Sequence, residues 1–181
     1  HLLRRDAHPL GGCIAAERRW AMTQAVLDAV LEVLTGAGVR AVAQYPGLAL
    51  ERDTPVVCVG VRSETVTPPG FGGYLGKEET DGVLTERYGV KAELTVLLDL
   101  YLPPEQAGAC QSLFAKVSGA LAGLPAGVKL RKLTRGEPVP DQAVGMFRCP
   151  CAMECTAYFV GELEPDGGEW LDFVLRGVLK T

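Results

Sequence analysis

The sequence is poor in histidine. Its 181 residues hold 2, His1 and His8, both near the start. That scarcity takes the usual nucleophile–imidazole pairs, serine or cysteine with histidine, out of the body of the chain. An excess of positive charge is also missing. The formal net charge is −4, which argues against a sequence-specific nucleic-acid binder, because such proteins carry a basic stripe. No apolar run approaches the roughly 20 residues that span a bilayer, so no membrane partner is expected. The start of the chain lacks the long apolar segment of a secretory signal. No G-x-G-x-x-G leads into a helix and no G-K-[ST] occurs, so nucleotide cofactors have no recognisable cradle. No methionine precedes Met22.

The length fits one domain with a sizeable core. The cysteines are Cys13, Cys58, Cys110, Cys149, Cys151 and Cys155. They are scattered, mostly within apolar periodic segments, which reads as free thiols in a reducing cytoplasm and not as a disulfide framework.

The stretch from Met146 to Leu179 organises the rest. Phe147, Cys149, Cys151, Met153, Cys155, Ala157 and Phe159 fall on alternate positions, with Arg148, Glu154, Thr156 and Tyr158 between them. Side chains on a strand alternate between faces, so one face is apolar and the other mostly polar. A second strand follows, with Leu171, Phe173, Leu175 and Leu179 alternating with Asp172 and Arg176. Glu164-Pro165-Asp166-Gly167-Gly168 turns between them. Something must cover the apolar face of this pair.

Two amphipathic helices can do so. Val26, Leu27, Val30, Leu31 and Leu34 form one face of a helix from about Ala16 or Thr23 to Thr35, with Gly36 as its left-handed cap. Cys110, Leu113, Phe114, Val117, Leu121 and Leu124 form one face of a second, from about Pro104 to Gly123. Strands are expected over Val39–Tyr45, Thr54–Val66, Val90–Leu102 and Val128–Thr134. In the second of these Val57, Val59 and Val61 share one face, and Cys58, Arg62 and Glu64 the other. In the third Ala92, Leu94, Val96, Leu98, Leu100 and Leu102 share a face. In the fourth Leu133 breaks the alternation. Short links favour antiparallel pairing. The expected fold is α+β: a two-layer sandwich, a mostly antiparallel sheet of about five to six strands covered by two helices.

Thr67–Gly89 stands apart. Pro68, Pro69 and its glycines cannot hold a helix or a central strand. Connections this long are functional or mobile. It reads as an extended β-hairpin arm leaving the body. Phe71, Tyr74 and Leu75 on it suit docking against another subunit. Lys77, Glu78, Glu79 and Tyr88 join them as candidate interface residues. Residues 1–21 also differ: His1 to Gly12 has no apolar period and carries Arg4, Arg5 and Pro9, and Arg18 and Arg19 follow. Two readings stand open for them: translated upstream sequence ahead of a start at Met22, or a basic arm that orders against a partner. The single α+β domain is then 22–181.

Cys149, Cys151 and Cys155 form the tempting chemical cluster. Their C-x-C-x3-C spacing is no zinc knuckle, and all three share the face of Phe147, Met153 and Phe159, so core packing is expected. Acidic pairs such as Glu78 with Glu79, or Glu162 with Glu164, read as solvated turn residues. No catalytic residue, metal or cofactor is assigned, and the chain is not expected to be an enzyme.

Several segments together resemble the tail terminator, or tail completion, proteins of long-tailed bacteriophages, notably those of prophages in Gram-positive gut bacteria. The carriers are the opening helix followed by Ala41-Val42-Ala43-Gln44-Tyr45-Pro46, then Phe71-Gly72-Gly73-Tyr74-Leu75-Gly76. Glu86-Arg87-Tyr88-Gly89 and the closing Trp170-Leu171-Asp172-Phe173-Val174-Leu175-Arg176-Gly177-Val178 are the others. The likeness covers residues 22–181 and rests on element order and local texture. It implies a structural protein that forms a ring, commonly a hexamer, on the end of the tail tube. It implies three partners: further copies of the chain, the tail tube protein and head–tail connector proteins. It places the protein in the host cytoplasm during assembly and afterwards in the virion tail. The family's long hairpin corresponds to Thr67–Gly89. The basic N-terminal segment and the three-cysteine strand depart from the family pattern. Two rival readings remain: another structural part of the same particle, such as a connector or baseplate adaptor, or a small metal-binding protein or enzyme using Cys149, Cys151 and Cys155.

Overall fold

A computed structural model describes residues 11–43, 51–67, 74–80, 82–163 and 174–175. Helix α1 (Gly11–Gly36) is followed by β1 (Ala41–Val42), β2 (Val56–Thr67), β3 (Tyr74–Thr80) and β4 (Val83–Leu102). A 3-10 turn (Pro104–Ala109) leads into α2 (Cys110–Leu121). Then come β5 (Val128–Arg135), β6 (Val139–Asp141), β7 (Met146–Cys149), β8 (Cys151–Leu163) and β9 (Val174–Leu175). All nine strands belong to one sheet.

Alternation on β4 decides where the layers lie. Ala92, Leu94, Val96, Leu98, Leu100 and Leu102 are all buried on one face. They join Cys149, Cys151, Met153, Cys155, Ala157 and Phe159 of β7 and β8 in one apolar cluster with both helices. From α1 this cluster takes Met22, Val26, Val30 and Leu34, one helical turn apart. From α2 it takes Val117 and Leu121, with Cys110 at the helix start, and Leu113, Phe114 and Leu124 packed at the margin. The fold is therefore α+β, two helices over a mostly antiparallel sheet. One pair is parallel, β1 with β2, against the expectation from short links.

Nine strand segments exceed the expected five to six, because long strands are interrupted. β2 and β3 lie along the same edge of β4, separated by residues 68–73. β7 and β8 share its other edge, separated by Pro150. β5 and β6 lie outside β8 and β7. Across Pro150 the pairing keeps step: Leu100 faces Cys149 and Leu97 faces Ala152, equal steps along both strands. Proline has no N–H to give the ladder. The carboxylate of Asp99, opposite it, accepts from the Cys151 N–H at 3.2 Å. It also accepts from Arg148 Nε at 2.9 Å and pairs with Arg148 Nη2 at 2.8 Å. Asp99 is 0 % exposed, and these donors are what make a buried carboxylate tolerable.

Three expectations need correction. Glu64 was placed opposite the core with Cys58 and Arg62. A bulge between Val61 and Ser63 inserts Arg62 and reverses the alternation beyond it. Glu64 thus turns to the helical layer, where Thr23 donates to it at 2.8 Å. The same device between Leu130 and Lys132 explains the broken alternation of β5, returning Leu133 to the core face. The cap of α1 is Gly38, at φ 71°, and not Gly36. Gly38 N–H donates to Thr35 and Val39 N–H reaches back to Leu34 at 2.9 Å. That is the two-bond helix stop in which glycine relieves the left-handed strain. Helix α1 begins upstream of both expected starts and runs unbroken past Met22. The described part of the closing strand, β9, pairs antiparallel with β8, Leu175 facing Phe159. Its remaining residues, with the turn before them, lie outside the described set.

Candidate interaction surface

β4 is 20 residues long, about 66 Å at ~3.3 Å per residue. Its described residues before Ala92 enter neither apolar cluster. This outer half of β4, with β3 hairpinned against it, forms an arm. Thr80 pairs with Val83, so the turn takes two residues, and Gly82 sits there at φ 79°. Asp-Gly between two strand-forming runs is a strong hairpin signal, in keeping with the hairpin expected over Thr67–Gly89. Gly89 lies inside β4, opposite Val160 of β8, contrary to the expectation that the glycines of this stretch keep out of a central strand. β8 follows β4 outward until Leu163 faces Glu86, so the arm is a three-stranded ledge at its base.

The candidate residues divide on this arm. Tyr74 and Tyr88 oppose each other, with ring centroids 5.5 Å apart at 66°, the edge-on geometry that aromatic quadrupoles favour. A bulge between Tyr74 and Gly76 makes Leu75 the extra residue, and Leu75 is half-buried. Lys77 faces Glu86 across the hairpin, with Nζ 3.3 Å from Oε1. Glu78 faces Thr85 and Glu79 faces Leu84; Glu79 is exposed. Phe71 lies outside the described residues.

Glu86 ties these groups together and was not among the candidates. Its Oε2 accepts a hydrogen bond from the Tyr88 hydroxyl at 2.9 Å. That bond, and then Lys77, hold its carboxyl below the usual carboxylate range. The same bond raises the Tyr88 phenol. The signal was present in the sequence: Lys77 and Glu86 stand equally far from the centre of Asp81-Gly82. The product is a polar–aromatic platform. Tyr74 is 48 % exposed upon it.

The sheet face away from the helices is the other candidate. Near one end a small apolar cluster covers it: Val56, Cys58, Tyr101, Val144 and Met146. Elsewhere it is open and polar. Ser63, Thr65, Glu93, Thr95, Glu154 and Thr156 line a groove of about 410 Å³ with Arg131. Arg131 comes from the β5 bulge and donates to Thr156 at 3.2 Å. A second groove of about 490 Å³ lies beside Arg62, Asp99 and Arg148.

The three-cysteine strand is core, as its shared face implied. Burial pushes the Cys149 thiol up to about 12 and the Cys155 thiol up to about 11, and Cys151 further still. Thiolate is the form that binds metal or attacks carbon, and these groups stay protonated at neutral pH. Among the described residues no three His, Cys, Asp or Glu side chains gather as a metal set. No described helix is long and apolar enough to cross a membrane.

No family model matches this chain, and no curated protein matches it in sequence.

Proposed function

We propose that the chain is a structural subunit of a bacteriophage tail: a terminator that assembles with copies of itself into a ring on the tail tube and presents a surface for head joining. The arm carries this reading. A hairpin continues a core strand well beyond its apolar cluster and displays an exposed aromatic on a charged platform. Large exposed apolar groups held out on an ordered scaffold serve contacts with other chains. A ring needs two different patches that meet head to tail, and an arm distinct from the body supplies one. The order of helix, strand, hairpin, long strand, helix and closing strands supports the same reading through the resemblance. The acidic balance of the chain suits a lumen along which DNA passes without sticking, since phosphate binding requires lysine and arginine. In this reading the protein acts in the host cytoplasm during assembly and then in the virion tail, and it catalyses nothing.

The test is negative-stain electron microscopy of the purified protein over a range of concentrations, with and without tail tubes. Rings with a central hole, or caps on tube ends, are expected. The Tyr74→Ser variant is expected to fold and to lose both. Wild-type protein that stays monomeric and ignores the tubes overturns the proposal.

A further inference from the structure

Both β2 and β5 carry a bulge, and in each the extra residue is an arginine on the sheet face away from the helices. Arg62 stands between Val61 and Ser63 of β2, and Arg131 between Leu130 and Lys132 of β5. The two lie level with each other. Thr95 of β4 faces Ser63 on one side and Glu154 on the other, and Glu154 faces Lys132. The arginine backbones are therefore three strand spacings apart, roughly 14 Å. Ser63, Thr65, Thr95 and Thr156 line the groove between them beside Arg131, and Arg62 lines the next.

The bases of this face outnumber its acids. Lys91 is matched by Glu93 at 2.6 Å, Lys132 by Glu154 at 3.8 Å and Arg148 by Asp99 at 2.8 Å. Arg62, Lys129 and Arg131 form no ion pair among the described residues. Arg131 donates to the Thr156 hydroxyl, and the Lys129 ammonium lies over the Tyr158 ring at 5.6 Å. Unmatched bases thus gather here on a chain whose net charge is −4. The tip of the arm has the opposite character. Beyond the Lys77–Glu86 pair, the sequence from 78 to 85 holds Glu78, Glu79 and Asp81 and no base. The two sets match in number. A nucleic acid would present many more phosphates than this face has free bases, to a chain whose overall charge repels it.

We infer that the acidic hairpin tip of one copy lies on the open sheet face of the next, between Arg62 and Arg131. The contact is heterologous, two different patches meeting. Within one chain the tip cannot reach its own groove. Thr80 faces Val83 at the tip and Ser63 faces Thr95 at the groove. Val83 to Thr95 is twelve positions along β4, roughly 40 Å at ~3.3 Å per residue. Successive copies are therefore displaced along the strands, and the axis of the ring crosses the strands. A hairpin, its two strands about 5 Å apart, fits between backbones set ~14 Å apart. Guanidiniums at both rims supply charge-assisted bonds to its carboxylates, and the charge match selects the partner and its placement. The inference rests on the self-assembly reading and adds where the arm docks.

A charge swap tests it. One variant reverses the face, with Arg62→Glu and Arg131→Glu; the other reverses the tip, with Glu78→Lys and Glu79→Lys. Within either variant tip and face carry like charge, whereas in their mixture every tip can meet an opposite face. Oligomers in solution and caps on tail tubes are counted for wild type, each variant and the equimolar mixture, and thermal melts check that each variant is folded. Each variant alone should assemble less than wild type by about tenfold or more, and the mixture should recover to within about twofold. If the face variant melts early, Lys129→Glu replaces Arg131→Glu in it. Variants that assemble like wild type, or folded variants that the mixture does not rescue, overturn the inference and leave self-assembly standing. Duplex DNA retained by wild type and lost by the face variant, with assembly unchanged, also overturns it and assigns the face to nucleic acid. Wild-type protein that assembles neither alone nor on tubes overturns both readings.

Discussion

The two halves of β4 obey different rules. From Ala92 to Leu102 every second side chain is buried against helices, and the strand is held by the apolar surface it removes from water. From Glu86 to Val90 described side chains are half-exposed around a buried Gly89. There the strand is held by cross-strand pairs, Tyr74 with Tyr88 and Lys77 with Glu86. One backbone, continuous over both halves, carries a stabilising segment and a displayed one. Contacts of the first kind are cooperative and costly to lose. Those of the second are individually weak, because solvent screens exposed pairs. The contrast teaches that loss of assembly and loss of folding should separate along this strand.

The largest expected effect is in the inner half. Leu98 is 0 % exposed, and Leu98→Ala is expected to cost about 2–5 kcal/mol, read from the urea unfolding midpoint. A cost below ~1 kcal/mol would break the comparison. Asp99→Ala comes next. It strips the Cys151 N–H and the Arg148 guanidinium of their shared acceptor, and about 1–3 kcal/mol should be lost, by the same measurement.

The smallest effect sharpens the outer half. The folded pKa of Glu86 is depressed, so its contribution is present above the unfolded-state value and is lost as pH falls through the lowered folded value. Carboxyl-carbon NMR should show Glu86 titrating below the usual glutamate range. Tyr88→Phe and Lys77→Met should each raise it, since the hydroxyl bond is the largest single cause and Lys77 adds a hydrogen bond and its charge. No rise in the Tyr88→Phe variant would show that the ion pair, and not the phenol, organises the platform.

Periodicity made the inner half legible. The even positions of β4, the odd positions of the Cys149–Phe159 run and the apolar stripes of both helices could all be assigned from spacing, because burial on one face forces the pattern. Two bulges defeated the same method. Nothing local marks Arg62 or Arg131 as the extra residue; each is fixed by the partner strand, and each reverses the faces beyond it. The cap at Gly38 was missed for a related reason, because Gly36 and Gly38 both satisfy the local rule and the backbone bond from Val39 to Leu34 chooses between them. The hairpin of the arm was legible from Thr67–Gly89, but its register was not: until Asp81-Gly82 is taken as the turn, Glu86 has no visible relation to Lys77. The platform was thus written in the sequence, but only in pair distances measured from the turn.

Pro150 and Asp99 have a consequence for how the chain reaches this structure. Slide the Met146–Leu163 segment along β4 by two positions and the apolar faces still match, since alternation repeats every second residue. Such a slip would leave Asp99 facing an ordinary peptide, far from the Cys151 N–H, with a desolvated carboxylate to satisfy. The proline removes a ladder donor at one site only, and the aspartate replaces that lost connection at the same site only. Together they act as a proofreading mark. The hydrophobic pattern brings two long, repetitive strands together, and a single polar appointment decides which of the nearly equivalent alignments survives.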